Sequence, residues 1–231
     1  MCIIPVMTSP QLALLKLLQL SSPTLPVGAF AYSQGLESAV DAGFVVDTNT
    51  LETWLLDTLK LSLLLLDIPV FSRLYRGWER KDMEAVRNWN SLLYAQRETS
   101  ELRAEDQHQA VALGRLLADL GIGQAEEWKT DKTACFLTLF SLAAVTWNIE
   151  KEQAAYGYLW SWLDKQITAA IKLVPLGQTD GQRVLSRLLP QIPAIVEQGL
   201  ACDDEQIGAS LPMLAILSSQ HETQYSRLFR S

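Results

Sequence analysis

Apolar residues recur at helical spacing along almost the whole chain, three or four positions apart, and no run alternates with the period of a strand. The pattern predicts an all-α protein. Local punctuation divides it into about nine to eleven helices, short ones included. Ser9 and Pro10 supply an N-cap and a first helical position, and "QLALLKLLQL" fills the helix until Ser21-Ser22-Pro23 breaks it. A short helix is expected over 33–42, capped by Ser33 and ended by Gly43. "DTNTLETW" opens a third, with Asn49 or Thr50 as cap and Glu52 reaching back, and it runs on through "LKLSLLLL". Asp67 and Pro69 start a fourth. Over 82–120 the only helix breaker is Gly114, so the stretch is one very long helix or two joined by a tight turn. Further helices follow over 133–149, over 150–174 with an interruption near Gly157, and from about Asp180 with a bend at Pro190 and Pro193. The last begins at Ser210-Leu211-Pro212. With neither repeat nor linker in the chain, the expectation is a single irregular helical domain over 1–231, with 1–9 and 221–231 as flexible tails.

Composition narrows the partners. A chain of 231 residues with 48% hydrophobic content is long enough to bury a core. Its net charge of −7 argues against nucleic acid or an anionic membrane as a partner, because both require a basic face. The three cysteines, Cys2, Cys135 and Cys202, are too far apart for a disulfide framework or a metal knuckle, which suits a reducing cytoplasm. "TACFLTLFSLAAVTWNI" has no charge, yet its 17 residues, several of them polar, read as a buried core helix and not a membrane span.

Candidate chemistry is sparse. Ala31-Tyr32-Ser33-Gln34-Gly35 is one substitution from the G-x-S-x-G elbow of serine hydrolases. That elbow needs a strand before the serine, and here the lead-in is the proline-broken "SSPTLPVG". The only bases on offer are His108 and His221. Ser33 is better read as a helix cap. No spacing matches a metal site, and no cofactor is implied; "VPLGQTDGQR" lacks the lysine of a phosphate-binding loop, leaving Gly177 as a helix C-cap and Thr179 as the next cap. Three features resist so plain an account. "RETSELRAED" crowds charges into a helix interior, with Arg97 and Glu101 spaced for an ion pair. Lys165 and Lys172 project together, opposite a stripe of Leu159, Leu163, Ile167, Ala170, Ile171 and Val174. "SRLFRS" sets Leu228 and Phe229 between Arg227 and Arg230, the composition of an interface anchor.

At these same stretches the sequence resembles the UreF family of urease accessory proteins. The matching segments are "LPVGAFAYSQGLE" (25–37), "RETSELR" (97–103), "IKLVPLGQTDGQ" (171–182) and "QHETQYSRLFRS" (220–231). The resemblance implies an all-helical cytoplasmic homodimer without catalysis of its own. It would bind the UreD (UreH) accessory protein and recruit the GTPase UreG, so that nickel reaches apo-urease. Partner contact would fall on Tyr32, Ser33, Gly35 and Glu37, on Lys165, Lys172 and Gln178, and on His221, Tyr225, Arg227, Leu228, Phe229 and Arg230. The C-terminal residues would order only when UreD binds. Two alternatives stay open: a serine hydrolase acting through Ser33, and a regulator of GTP hydrolysis acting through Lys172.

Overall fold

The computed structural model describes residues 9–208 and 211–231, and among them there are eleven α-helices and no strand. The expected flexible start over 1–9 and the Ser210 cap fall almost entirely outside the described residues, Ser9 excepted. The first helix, α1 (Pro10–Leu20), starts as its sequence dictates, the Ser9 hydroxyl accepting from the Leu12 amide at 3.2 Å. The short α2 (Leu36–Asp41) begins three residues later than Ser33, on Gly35 in the left-handed conformation. Gly35 is needed twice over there: its φ is +78°, and a Cβ would come within 3.0 Å of Leu214.

The next 33 positions run without a break, and their centre is not α-helical. After α3 (Thr48–Thr58) the backbone opens into a π-helix over Leu59–Asp67 and returns to α4 (Ile68–Arg80). Asp67 therefore closes the π segment and stands at the N-cap position of α4, with Pro69 in the first turn as expected, although its side chain makes no cap bond. The α3 cap is Asp47, whose carboxylate accepts from the Asn49 and Thr50 amides while Thr50 reaches back, so neither the Asn49 side chain nor Glu52 serves as the cap. α10 (Ile192–Ala201) crosses this widened stretch closely at Gly199, whose Cβ position lies 2.7 Å from Ile68 and 3.0 Å from the Leu64 carbonyl.

The stretch 82–120 resolves into α5 (Met83–Gln96) and α6 (Ser100–Asp119), the tight-turn alternative. Thr99 caps α6 through the Leu102 amide. The uncharged segment forms α7 (Phe136–Thr146), an 11-residue helix buried on nearly every side, as its composition predicts. α8 (Lys151–Leu173) runs unbroken through Gly157, where Leu17 of α1 and Ser21, just after it, pack into the space of the missing side chain. Gly177 precedes α9 (Gln178–Leu188) as its N-cap and does not end α8, which stops at Val174. The prolines act as expected, turning the chain through a 3₁₀ step at Leu189–Gln191 into α10. The last helix, α11 (Pro212–His221), lies on α2 and α6.

The centre is aromatic and aliphatic. Phe71, Phe140 and Tyr158 stack edge to face, joining α4, α7 and α8, and Trp78 meets Trp128 beside them. No described helix is long and apolar enough to cross a membrane.

Candidate functional site

Segment 222–231 follows α11 and folds back over the loop before α2. Its backbone pairs with that loop: the Arg230 amide donates to the Ala31 carbonyl at 2.8 Å, and the Ser33 amide donates to the Ser231 carbonyl at 2.8 Å. An extended segment turns alternate side chains to opposite sides. Phe229 and Ser231 accordingly point inward and are buried, while Leu228, at 62% exposed, and Arg230 point out. Within the stretch expected as a flexible tail, 221–231, Phe229 thus has a seat within the chain, whereas Tyr225 and Leu228 do not.

Glu37 makes that seat. Its carboxylate accepts from the amides of Leu228 at 2.6 Å and Phe229 at 2.8 Å, and it lies 3.1 Å from His221 Nε2. The other ring nitrogen, Nδ1, lies 2.8 Å from Glu101, whose second oxygen accepts from Arg227 at 3.0 Å. His221 is wholly buried between the two carboxylates. Because these sit on opposite sides of the ring, the three side chains do not converge on a point where an ion could bind; among the described residues no group of three metal-binding side chains is arranged to do so.

A second carboxylate lies deeper. Glu105 Oε1 accepts from Lys165 at 2.8 Å, Gln34 at 2.9 Å and Gln109 at 2.8 Å, and its Oε2 accepts from the Ser231 hydroxyl at 3.1 Å. Lys165 is therefore not the exposed partner of Lys172 that its spacing suggests. Lys172 is exposed, and its ammonium stands 5.6 Å above the Phe229 ring. The Tyr32 hydroxyl lies 2.7 Å from His108 Nδ1 and also meets Arg230; burial pushes this phenol above its usual titration range, with the Arg230 contact opposing the shift.

These contacts bring the sequence motifs together. Segment 25–37 seats 228–231, "RETSELR" grips the end of α11 through Thr99 on Ser218, Ser100 on Glu222 and Glu101 on His221, and Lys172 covers Phe229. Four distant stretches of the chain thus converge on one docked segment. The model of the UreF family matches residues 45–189. Proteins named urease accessory protein UreF align with nearly the full chain. That of Alkalilimnicola ehrlichii is 50% identical, covering 97% of this chain and 98% of its own; that of Hahella chejuensis is 48% identical, covering 96% and 100%. The chain belongs to the UreF family.

The residues that the resemblance sets out for partner contact in this UreF-family chain differ in exposure. Tyr32, Ser33, Glu37 and His221 are buried and help hold the docked segment, and Gly35 is buried against α11. Gln178 is exposed on the first turn of α9, apart from the segment, and Tyr225 is fully exposed. Ser33 is a poor nucleophile: its hydroxyl donates to the Ser231 carbonyl and accepts from the Glu37 amide, and both histidines are engaged by other side chains. Spacing also misassigned Arg97, which does not pair with Glu101. Its guanidinium lies 2.8 Å from Asp67 and 2.7 Å from Asp106, and Tyr158 donates to Asp67 at 2.7 Å. Burial pulls the Arg97 pKa down, but Asp67 and Asp106 outweigh it and hold the guanidinium well above its ordinary range. Burial raises the Tyr158 hydroxyl, and Asp67 raises it further. Beside this cluster lies a cavity of about 180 Å³, with Asp67, Arg97, Glu105 and Lys165 on its polar side and Leu63 and Phe136 among its apolar lining. Glu105 and Asp106, read in the sequence only as part of a crowded charged stretch, and His108, read only as a possible base, are parts of the site. The available signal was the density of acids inside a helix, with Glu105 and Gln109 one turn apart.

Proposed function

We propose that this chain is a non-catalytic adaptor in urease maturation, working in the cytoplasm as a homodimer. It binds a UreD/UreH-type accessory protein and recruits a UreG-type GTPase so that nickel is delivered to apo-urease. One observation carries the reading: the docked segment is split by face, with Phe229 and Ser231 committed inward and Tyr225, Arg227, Leu228 and Arg230 left outward beside Lys172. An exposed leucine and tyrosine among three cations, on a chain of net charge −7, form an amphipathic patch suited to an anionic or carbonyl-rich partner surface. Docking here pre-orders the segment, so a partner meets it without the entropy cost of arranging a free tail.

The test separates the two faces. Leu228→Asp should keep the segment docked yet lower capture of a UreD homologue at least tenfold in pull-down and calorimetry, whereas Phe229→Ala should lower both docking and capture. Undiminished capture by Leu228→Asp would overturn the proposal. The regulator reading keeps one supporting observation, the exposed Lys172 ammonium next to the segment. It requires Lys172→Ala to slow GTP turnover by UreG in the assembled complex while assembly itself is unchanged.

A further inference from the structure

Two polar groups of the cavity beside the Arg97 cluster have nothing in the chain to bind. Ser21, just after α1, is 6% exposed, and its hydroxyl has no hydrogen-bond partner. Asp164 on α8 is half-buried; none of the described residues pairs with it, and burial alone pushes its carboxyl above the usual carboxylate range. Both line the same cavity of about 180 Å³. The helix sets their spacing. The Ser21 hydroxyl lies 2.7 Å from the Cβ position of Gly157, and Asp164 follows Gly157 by seven residues, two turns of α8, so the two groups share one side of the helix roughly 10 Å apart along its axis. Shielded polar groups without partners destabilise a fold, and nothing in this one offsets the loss at either position.

We propose that this cavity binds a small organic cation with a neutral polar tip, a compound of the linear amino-alcohol class, with its ammonium on Asp164, its hydroxyl at Ser21 and its hydrocarbon between them. The sign of the charge follows from what the other lining groups already do. Arg97 is held by Asp67 and Asp106, and Lys165 by Glu105, so an anion meets no uncommitted cation there, whereas a cation meets Asp164. The tip is neutral because the Ser21 hydroxyl is buried beside Leu17, where a second charge would be stranded. Leu63, Leu66 and Phe136 in the lining suit the hydrocarbon. Size follows from volume: a cavity of about 150 Å³ admits benzene, so this one takes roughly six to eight non-hydrogen atoms. A bare metal ion fits poorly, because a carboxylate and a hydroxyl are too few ligands, and among the described residues no three metal-binding side chains converge. The site belongs to the chain itself and does not rest on the adaptor reading.

The probe is aminopentanol with its amine and hydroxyl at opposite ends, titrated into the full chain by calorimetry at about pH 8, where carboxylates are ionised and amines protonated. Pentanediol and pentylamine serve as the forms lacking the charge and the tip. Saturable one-to-one binding of aminopentanol is expected, at least about tenfold tighter than that of pentanediol, because hydrogen bonds between charged groups are the strong ones. Asp164→Asn should remove that advantage and leave pentanediol binding as it was. Ser21→Ala should weaken aminopentanol about three- to tenfold and leave pentylamine unchanged. Amide shifts in NMR should move at Ser161 and Ala169, which line the cavity, and stay fixed in α9, which does not. Since neither group has a partner in the fold, both variants should melt no lower than the unmodified chain. Absence of saturable binding, an Asp164→Asn chain that still prefers aminopentanol to pentanediol, or variants that melt well below the unmodified chain would each refute the site.

Discussion

Buried charge decides which single residues matter to the fold. Arg97 is held by Asp67 and Asp106, and Asp67 also takes the Tyr158 hydroxyl. Asp67→Ala would leave a guanidinium in the interior with one carboxylate in place of two. Removing one partner of a buried pair costs about 3–5 kcal/mol, so the melting midpoint of a chain this size should fall on the order of 10 °C. Thermal unfolding followed by circular dichroism checks it; a fall of a degree or two would mean that Asp106 suffices. The ion pairs at Arg87 with Glu127 and at Arg183 with Asp180 are exposed and should matter little. At this scale the sequence was only partly legible. The interface composition of "SRLFRS" was visible, but not that Phe229 turns inward and Leu228 outward. That division depends on pairing with Ala31 and Ser33, almost two hundred positions away. Nor could spacing show that Arg97 reaches across to another helix, since i,i+4 geometry offers Glu101 first.

Among the elements, helix existence was legible and helix junctions less so. Ser9-Pro10 fixed the start of α1 because cap and first-turn proline act locally. Asp47 was passed over for Asn49 and Thr50 because a capping box can be read in neighbouring registers. The π-helix has no local signature, since "LKLSLLLL" is good α-helix sequence, and α10 crosses it closely at Gly199. Close crossings of this kind make a prediction about glycine. Gly199→Ala gains up to about 1 kcal/mol in helix propensity, but its Cβ meets the branched Ile68 side chain and the Leu64 carbonyl, where overpacking costs roughly 1–3 kcal/mol. Net destabilisation in chemical denaturation is expected. Gly123→Ala, with nothing within 4 Å of its Cβ position, should lie within about 0.5 kcal/mol of the original.

For the molecule as a whole, the helical core and the docked segment are separable. Each residue of the segment loses about 1–2 kcal/mol of backbone freedom on docking, which offsets most of what its hydrogen bonds and the buried Phe229 ring contribute. Deleting 223–231 should therefore move the melting midpoint by only a few degrees and leave the helical signal intact; loss of cooperative unfolding would show instead that the core depends on the segment. The pairing of residue 37 with residue 229 also has a meaning in time. Ribosomes add roughly 5–20 residues per second, so the Glu37 carboxylate is made some ten to forty seconds before the Phe229 amide it accepts, 192 positions later. A copy whose synthesis stalls before that point would build its helices and still lack the patch around Leu228, so a partner that reads the patch would pass over unfinished chains.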